Sequence, residues 1–501
     1  MNYLKFILLL GLTACELSRA READTSRQAS PLSNPVHPAL FTNHDRYREG
    51  SITHRRFKHR DLVPLLDSLA QDTRFRVSPA GASAEGRSIQ LVSAGGGPVK
   101  VMLWSQMHGD ESTATMAMLD MFNFLRASDA LDPVRRAILE KLTVHFVPML
   151  NPDGAERFQR RNALEIDLNR DAIKLQSPES RILKRLRDSL QPQFGFNLHD
   201  QSPRYTAGNT AKPATISFLA PPYDHAKSVN AVRGNAMKLI VGMNRTLQAY
   251  IPGQVGKYFD SHEPRAFGDN IQKWGTSVVL VESGGHPGDT EKQFIRKLNF
   301  VSLLDALHAI AEASYERENQ EEYYAIPENE KYLFDLVVRN VRVKEGGREH
   351  LTDIGINRYE INAPGATDFY YRSQIDEVGD MSIYYGYEEF DARGMHYQCG
   401  KIRKDPFKNI TALRKENPMA LLREGYSAVR VKRPVTPFQL RDVPVNVVKN
   451  ARQCPTAPSL NLIPEFFLTG EDGTIRYAVI NGFIVPLDGQ MTNFKNALVL
   501  N

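Results

Sequence analysis

Short apolar runs alternate with stretches of helical apolar periodicity between residues 60 and 315. Residues 101–104, Val-Met-Leu-Trp, read as a buried strand that stops at His108-Gly109-Asp110-Glu111. Met116, Leu119, Phe122 and Leu125 then recur at spacings of three or four and predict a helix. Residues 143–150 predict the next buried strand, closed by a tight turn at Asn151-Pro152-Asp153-Gly154. Two further strands, 194–198 and 277–281, run into His199-Asp200 and Glu282-Ser283-Gly284-Gly285. Shorter strands are predicted at 75–77 and 89–92, joined by a turn-rich 79–86, and at 216–219. Helices are predicted over 61–70, 132–141 with Asp132 as N-cap, 179–190, 225–247 and 289–313. This alternation predicts an α/β fold. Three of its strands run into a residue able to bind a metal or move a proton: His108, His199 and Glu282. In open α/β sheets such strand ends share one crevice.

Beyond residue 320 the pattern changes. A charged linker at 316–322 precedes short β-leaning runs with turn signals, predicting a smaller β-rich domain or strands that cap the first one. The chain of 501 residues is long enough for two or three domains. Its net charge of +5 argues for neither nucleic-acid binding nor a polybasic membrane patch. Three cysteines, Cys15, Cys399 and Cys454, exclude a disulfide scaffold and a four-cysteine zinc site. Gly95-Gly96-Gly97-Pro98 lacks the Lys-Ser/Thr ending of a phosphate cradle and reads as a loop.

The amino terminus carries Lys5, an apolar run at 6–13, then Leu12-Thr13-Ala14-Cys15, which resembles a bacterial lipobox. The expectation is a signal peptide over 1–14 and lipidation of Cys15. The protein would then be anchored to the bacterial envelope, in the periplasm or at the outer membrane. A polar, flexible tether is expected over 15–45, a catalytic domain over 46–320 and a β-rich accessory domain over 321–501. In an oxidising compartment Cys399 and Cys454 are candidates for pairing, although sequence does not give their geometry.

His108-x-x-Glu111, Asn151-Pro-Asp-Gly154, Arg160, Asp167-Leu-Asn169-Arg170, a distant His199 and a distant Glu282 stand in that order. This constellation resembles the zinc carboxypeptidase family, as does Ser83-Ala-Glu-Gly-Arg87 upstream. The resemblance covers roughly residues 60–315. It implies an α/β/α fold around a mixed, twisted sheet and one Zn(2+) per chain, held by His108, Glu111 and His199. Glu282 would be the general base, and Asp167 would accept the free N–H of His108. Arg160, preferred over its neighbour Arg161, would stabilise the oxyanion. Asn169 and Arg170 would clamp the substrate's C-terminal carboxylate. Tyr258, with Tyr250 as the other candidate, would sit on a loop before the base. Gly284 and Gly285 suit a close approach of substrate. His145, mid-strand, reads as structural, and His286, which follows the Glu282-Ser-Gly-Gly turn, is assigned no role.

The expected activity is therefore a zinc metallocarboxypeptidase acting on peptides. Arg265 suggests an acidic side chain or second carboxylate, as in peptidoglycan stem peptides. A related amidohydrolase and an inactive peptide-binding lipoprotein are the competing readings. Arg160 and Asn169-Arg170 argue against the first, and the complete set of ligands and base against the second.

Overall fold

The computed structural model describes residues 36–450, 455–489 and 494–500. The expected signal peptide, Cys15 and most of the tether lie outside these residues, as does Cys454. His37–Asn501 packs as one compact unit. The change at residue 320 therefore marks a change of architecture within one body.

The first half is built on an eight-stranded mixed sheet. Its strands are β1 (Phe75–Ala82), β2 (Ser88–Gly95), β3 (Val99–Ser105), β4 (Leu142–Val147) and β5 (Phe194–Asp200), followed, after the two-residue β6 (Thr206–Ala207) outside this sheet, by β7 (Ile216–Leu219), β8 (Val255–Lys257) and β9 (Ser277–Ser283). The spatial order is β1-β2-β4-β3-β5-β9-β7-β8. The centre, β4-β3-β5-β9, is parallel. Its strands are buried along nearly their whole length, as a parallel sheet covered on both faces requires.

Helices supply that cover. Following α1 (His37–Tyr47) and α2 (His59–Leu69) come α3 (Thr113–Arg126), α4 (Asp132–Lys141), α5 (Pro152–Arg157), α6 (Pro178–Leu190), α7 (Ala231–Gln248), α8 (Phe267–Lys273) and α9 (Gln293–Ala311). Helices α1, α3, α4 and α7 gather around α9. Helices α6 and α8 instead pack Ile182, Leu183, Phe267 and Ile271 against Met102, Trp104 and Val278 of the sheet. Each such fully buried aliphatic or aromatic side chain contributes about 1.5–3 kcal/mol.

The second half opens with β10 (Asn329–Glu330), which pairs with β6. Strands β11 (Leu333–Glu345), β12 (Arg348–Asn362) and β13 (Phe369–Gly379) form an antiparallel meander. With β14 (Tyr385–Asp391), β15 (His396–Cys399) and three later strands, they make the second large sheet. Cys399 is disulfide-bonded. The two halves are tied by charge. Glu360 on β12 receives Arg55 at 2.7 Å and Arg56 at 2.6 Å, and Lys58 Nζ donates to Ala366 O at 2.7 Å. Asn329, buried, links Gln201 to Ser217.

Several local expectations are corrected. Residues 37–45 are not tether: they lie in α1, where Leu40, His44 and Tyr47 fall on one buried face. The buried anchor is polar, so apolar periodicity does not reveal it. His44 Nε2 meets Asp120 Oδ2 at 2.8 Å, and its ring packs on Phe300. The helix expected from 225 begins at Ala231, because Asn230 caps it by accepting Arg233 N–H. The helix expected from 289 begins at Gln293. Asp289 instead accepts the N–H groups of Gln293, Phe294 and Ile295. Asn151-Pro-Asp-Gly154 is the start of α5, with Asn151 as N-cap, and not a simple turn. Leu131 is the N-cap of α4, and Asp132 lies within the helix.

Candidate active site

The His108 corner is shaped by a close backbone approach. After β3 the chain passes through Gln106 at φ 46°, a conformation unusual for a non-glycine residue. Gly109 then lies against the backbone of Gly154, where a Cβ would collide. Asn151 N–H donates to Gln106 O at 2.9 Å, and its side-chain amide reaches Met107 O at 3.3 Å. The two motifs thus fold as one object. Asp153, fully buried, fastens the Ser83–Arg87 turn to it through Ser83 Oγ, Glu85 N–H and Arg87 Nη1.

His108, Glu111 and His199 converge there, with a ligand atom of each within 4.8 Å of the others. Glu111 bridges both rings, Oε1 to His108 Nδ1 at 2.8 Å and Oε2 to His199 Nδ1 at 2.7 Å. The two Nδ1 atoms are 3.2 Å apart. His108 Nε2 faces Asp167 Oδ1 at 3.0 Å, which assigns that nitrogen its proton and leaves Nδ1 with its lone pair inward. Two imidazoles and a carboxylate, all buried, are a zinc-type donor set and fit the ion.

Burial opposes ionisation of Glu111, but the adjacent His108 and His199 hold its carboxyl well below the usual range. The same contest holds Asp167 down: burial raises it, while His108 and Arg160 more than offset that.

Glu282 stands beside His199, since β5 and β9 pair in parallel with His199 opposite Glu282. Burial pushes its carboxyl well up, and the negative charges of Glu111 and Asp200 push it further. Arg160 enters the cluster, Nε to Asp167 Oδ2 at 3.0 Å and Nη1 to Glu111 Oε1 at 3.3 Å. Arg161 turns away to Glu165 O.

Asn169 and Arg170 lie on a short 3-10 turn that Asp167 caps. Asn169 Oδ1 accepts Phe267 N–H at 2.9 Å, leaving the Nδ2 end of its amide for a ligand. Arg170 Nε rests 3.2 Å from Glu263 Oε2. Arg265, the candidate selector of acidic side chains, is largely exposed and forks onto the same Glu263. One Glu263 carboxylate thus faces two guanidinium groups, Arg170 and Arg265.

Of the two tyrosines, Tyr250 packs on Phe41 and bonds His37, away from the cluster. Tyr258 feels the field of Glu282, and burial followed by that charge raises its hydroxyl strongly. Gly284 and Gly285 line the cleft beside Glu111 and are also approached closely by Ala214 O and the Tyr387 hydroxyl. His145 bonds Ser93 Oγ at 2.8 Å inside the sheet.

Three participants escaped the sequence reading. Lys292 donates to Asp200 Oδ2 at 3.0 Å and Ser283 O at 2.8 Å, tying together the ends of β5 and β9. Tyr205 packs edge-on to Tyr258 and is raised by burial and by Glu282. Asp110, raised to about 6 by burial and then by Glu111, lies beside the metal ligand. Asp110 was visible within its motif, but nothing in sequence distinguishes Lys292 or Tyr205 from surface residues.

Comparison with known proteins agrees with this geometry. Residues 63–199 match the family described as zinc carboxypeptidase. Carboxypeptidase 2 of Trichophyton tonsurans is 31% identical over 139 residues, 27% of this chain and 24% of that one. Carboxypeptidase M of Mus musculus is 27% identical over 135 residues, 23% of this chain and 30% of that protein. The chain spans about a quarter of the length of the first of these curated relatives. Among solved structures, a metallo-carboxypeptidase from Burkholderia cenocepacia is 18% identical, with a TM-score of 0.43 over 52% of this chain and 70% of that one. Residues 63–199 are thus similar to the zinc carboxypeptidase family, and that similarity takes in His108, Glu111 and His199.

Proposed function

We propose that the protein is a zinc-dependent metallocarboxypeptidase that removes the C-terminal residue of peptides. The observation that carries this reading is the cluster of His108, Glu111 and His199 with Glu282 in register beside His199. When bound, zinc supplies polarisation of the scissile carbonyl and acidification of a water. Glu282 takes the proton of the attacking water and delivers it to the leaving amine, a task suited to a carboxylate whose proton affinity is raised. Arg160 faces the growing negative charge on the carbonyl oxygen. Asp167 holds the tautomer of His108. Asn169 Nδ2 and the outer nitrogens of Arg170 receive the terminal carboxylate, while Glu263 steadies Arg170 through Nε. Cell-wall stem peptides are one proposed substrate class. The lipobox-like Leu12-Thr13-Ala14-Cys15 supports an envelope location with a lipid anchor. Among the described residues no helix is long and apolar enough to cross a membrane.

The test is release of single C-terminal residues from a mixed peptide panel, followed by mass spectrometry. Release that a chelator abolishes, that added zinc restores and that Glu282→Gln lacks supports the reading. Bound zinc with no release from any peptide, stem peptides included, refutes it and turns attention to the amidohydrolase.

A further inference from the structure

A cleft of about 820 Å³ opens beside Glu111. One wall belongs to the metal-binding half and includes Asp110, Glu111, Asp200 and His286. The other comes from the β-rich half and includes Arg358, Tyr359, Glu360, Tyr371, Tyr387 and Lys495. Neither Asn169, Arg170, Glu263 nor Tyr258 lines it.

We propose that this cleft holds the substrate chain on the N-terminal side of the scissile bond, and that the β-rich region is thereby half of the peptide-binding surface. The inference rests on the carboxypeptidase reading. With the terminal carboxylate on Arg170 and the scissile carbonyl at the His108–Glu111–His199 cluster, the preceding residues must leave the cluster away from the clamp. The cleft is the space that shares Glu111 and excludes the clamp. Its volume lies in the upper part of the roughly 300–1,000 Å³ typical of ligand sites, more than one side chain needs.

The chemistry of the walls suits a peptide of mixed sequence. Asp335, Glu360 and Glu388 are each held by arginines, namely Arg204, Arg55 with Arg56, and Arg358. The wall therefore presents pairs, not a field of one sign that would select a polyion. Tyr359 is 40% exposed, with Arg204 stacked 4.8 Å from its ring centre, and offers an apolar face. Asp110 Oδ1, Asp200 Oδ1 and His286 Nδ1 are buried without a hydrogen-bond partner. An extended chain carries the N–H and C=O groups that such atoms lack. The wall is also preformed. Tyr387 Oη donates to Pro203 O at 2.5 Å, and Arg204 Nη2 to Arg358 O at 2.6 Å.

The test compares kcat/KM for a blocked dipeptide and a hexapeptide with the same last two residues, using the full chain. The wild type should prefer the hexapeptide by roughly tenfold or more, the gain expected when one or two side chains acquire buried contacts. Tyr359→Ala and, separately, Lys495→Ala should each cut that ratio about fivefold, mainly through KM. A wild-type ratio near one overturns the proposal. So does a ratio that both substitutions leave unchanged. Turnover without length dependence removes the β-rich wall alone, whereas no turnover at any length removes the carboxypeptidase reading with it.

Discussion

His199 and Glu282 lie directly opposite each other on the parallel strands β5 and β9. Strands in a sheet are about 4.8 Å apart, and paired residues point to the same side. One ladder register therefore sets a candidate metal ligand and the proposed proton carrier side by side, although 83 positions separate them in the chain. Lys292 fastens the ends of the same two strands.

Glu282 does not belong to the ligand cluster. Glu282→Gln should leave zinc content at one per chain, measured by metal analysis, and lower kcat by about 10²–10⁴, the usual contribution of a general acid–base group. Loss of zinc in this variant would make Glu282 a ligand and overturn its assignment.

In the proposed site Asp167 would act on the metal through His108, whose Nε2 it faces at 3.0 Å. Asp167→Asn keeps the shape but weakens the fixed tautomer, so zinc affinity should fall about 10–100-fold in a competition titration with a chelator. Unchanged affinity would mean that Arg160 is the functional partner of Asp167.

Arg170 should matter only when the substrate has a free C-terminus. Arg170→Ala should reduce kcat/KM roughly 30–100-fold on such peptides, corresponding to the loss of charge-assisted hydrogen bonds. If an acyl-amino acid amide without a carboxylate is cleaved equally well by both proteins, the clamp is identified. If that substrate suffers the same loss, Arg170 serves the fold.

His145 carries a pH effect on stability. Burial, then the charges of Arg76 and Lys100, lower its imidazole from 6.5 to about 4. Between those values the unfolded chain takes up a proton that the folded chain refuses. Its contribution to stability is thus complete above about pH 6.5 and is lost as pH falls toward about 4. His145→Asn should show a smaller drop in urea midpoint from pH 7 to pH 5 than the wild type.

The buried pair Arg296–Asp120, both fully enclosed, holds α9 to α3 and gathers α1 through His44. Arg296 also donates to Ile52 O and Glu49 O. Arg296→Ala leaves the buried Asp120 carboxylate with only His44 and the Glu49 N–H and should cost about 3–5 kcal/mol in chemical denaturation. A loss below about 1 kcal/mol would show that α1 is held by its apolar contacts alone.

By itself the sequence determined the elements of strong period and the order of the motifs. Runs such as 101–104 and 277–281 are apolar because they are buried on both faces, so the central sheet could be read without coordinates. His108, Glu111 and His199 could be marked because a metal site demands particular donor types at turns after such strands.

Tertiary structure decided what depends on contacts between distant segments. Helix α1 is held partly by a polar His44 that finds Asp120, and no periodicity of apolar residues announces that contact. Arg160 and Arg161 are equivalent in sequence, yet a single turn of backbone sends one to Asp167 and the other to Glu165 O. Tyr258 and Tyr250 are separated in the same way, by the Tyr250–Phe41 stack. Gly284 and Gly285 line the cleft, and only the packed structure shows that Ala214 O and Tyr387 crowd them as well. The β-rich half became a wall of the cleft through Glu360, Asp335 and Tyr387, which meet arginines and a carbonyl more than a hundred residues away. Local propensity reports how a segment prefers to fold; which charged and aromatic groups it then meets is a property of the packed chain.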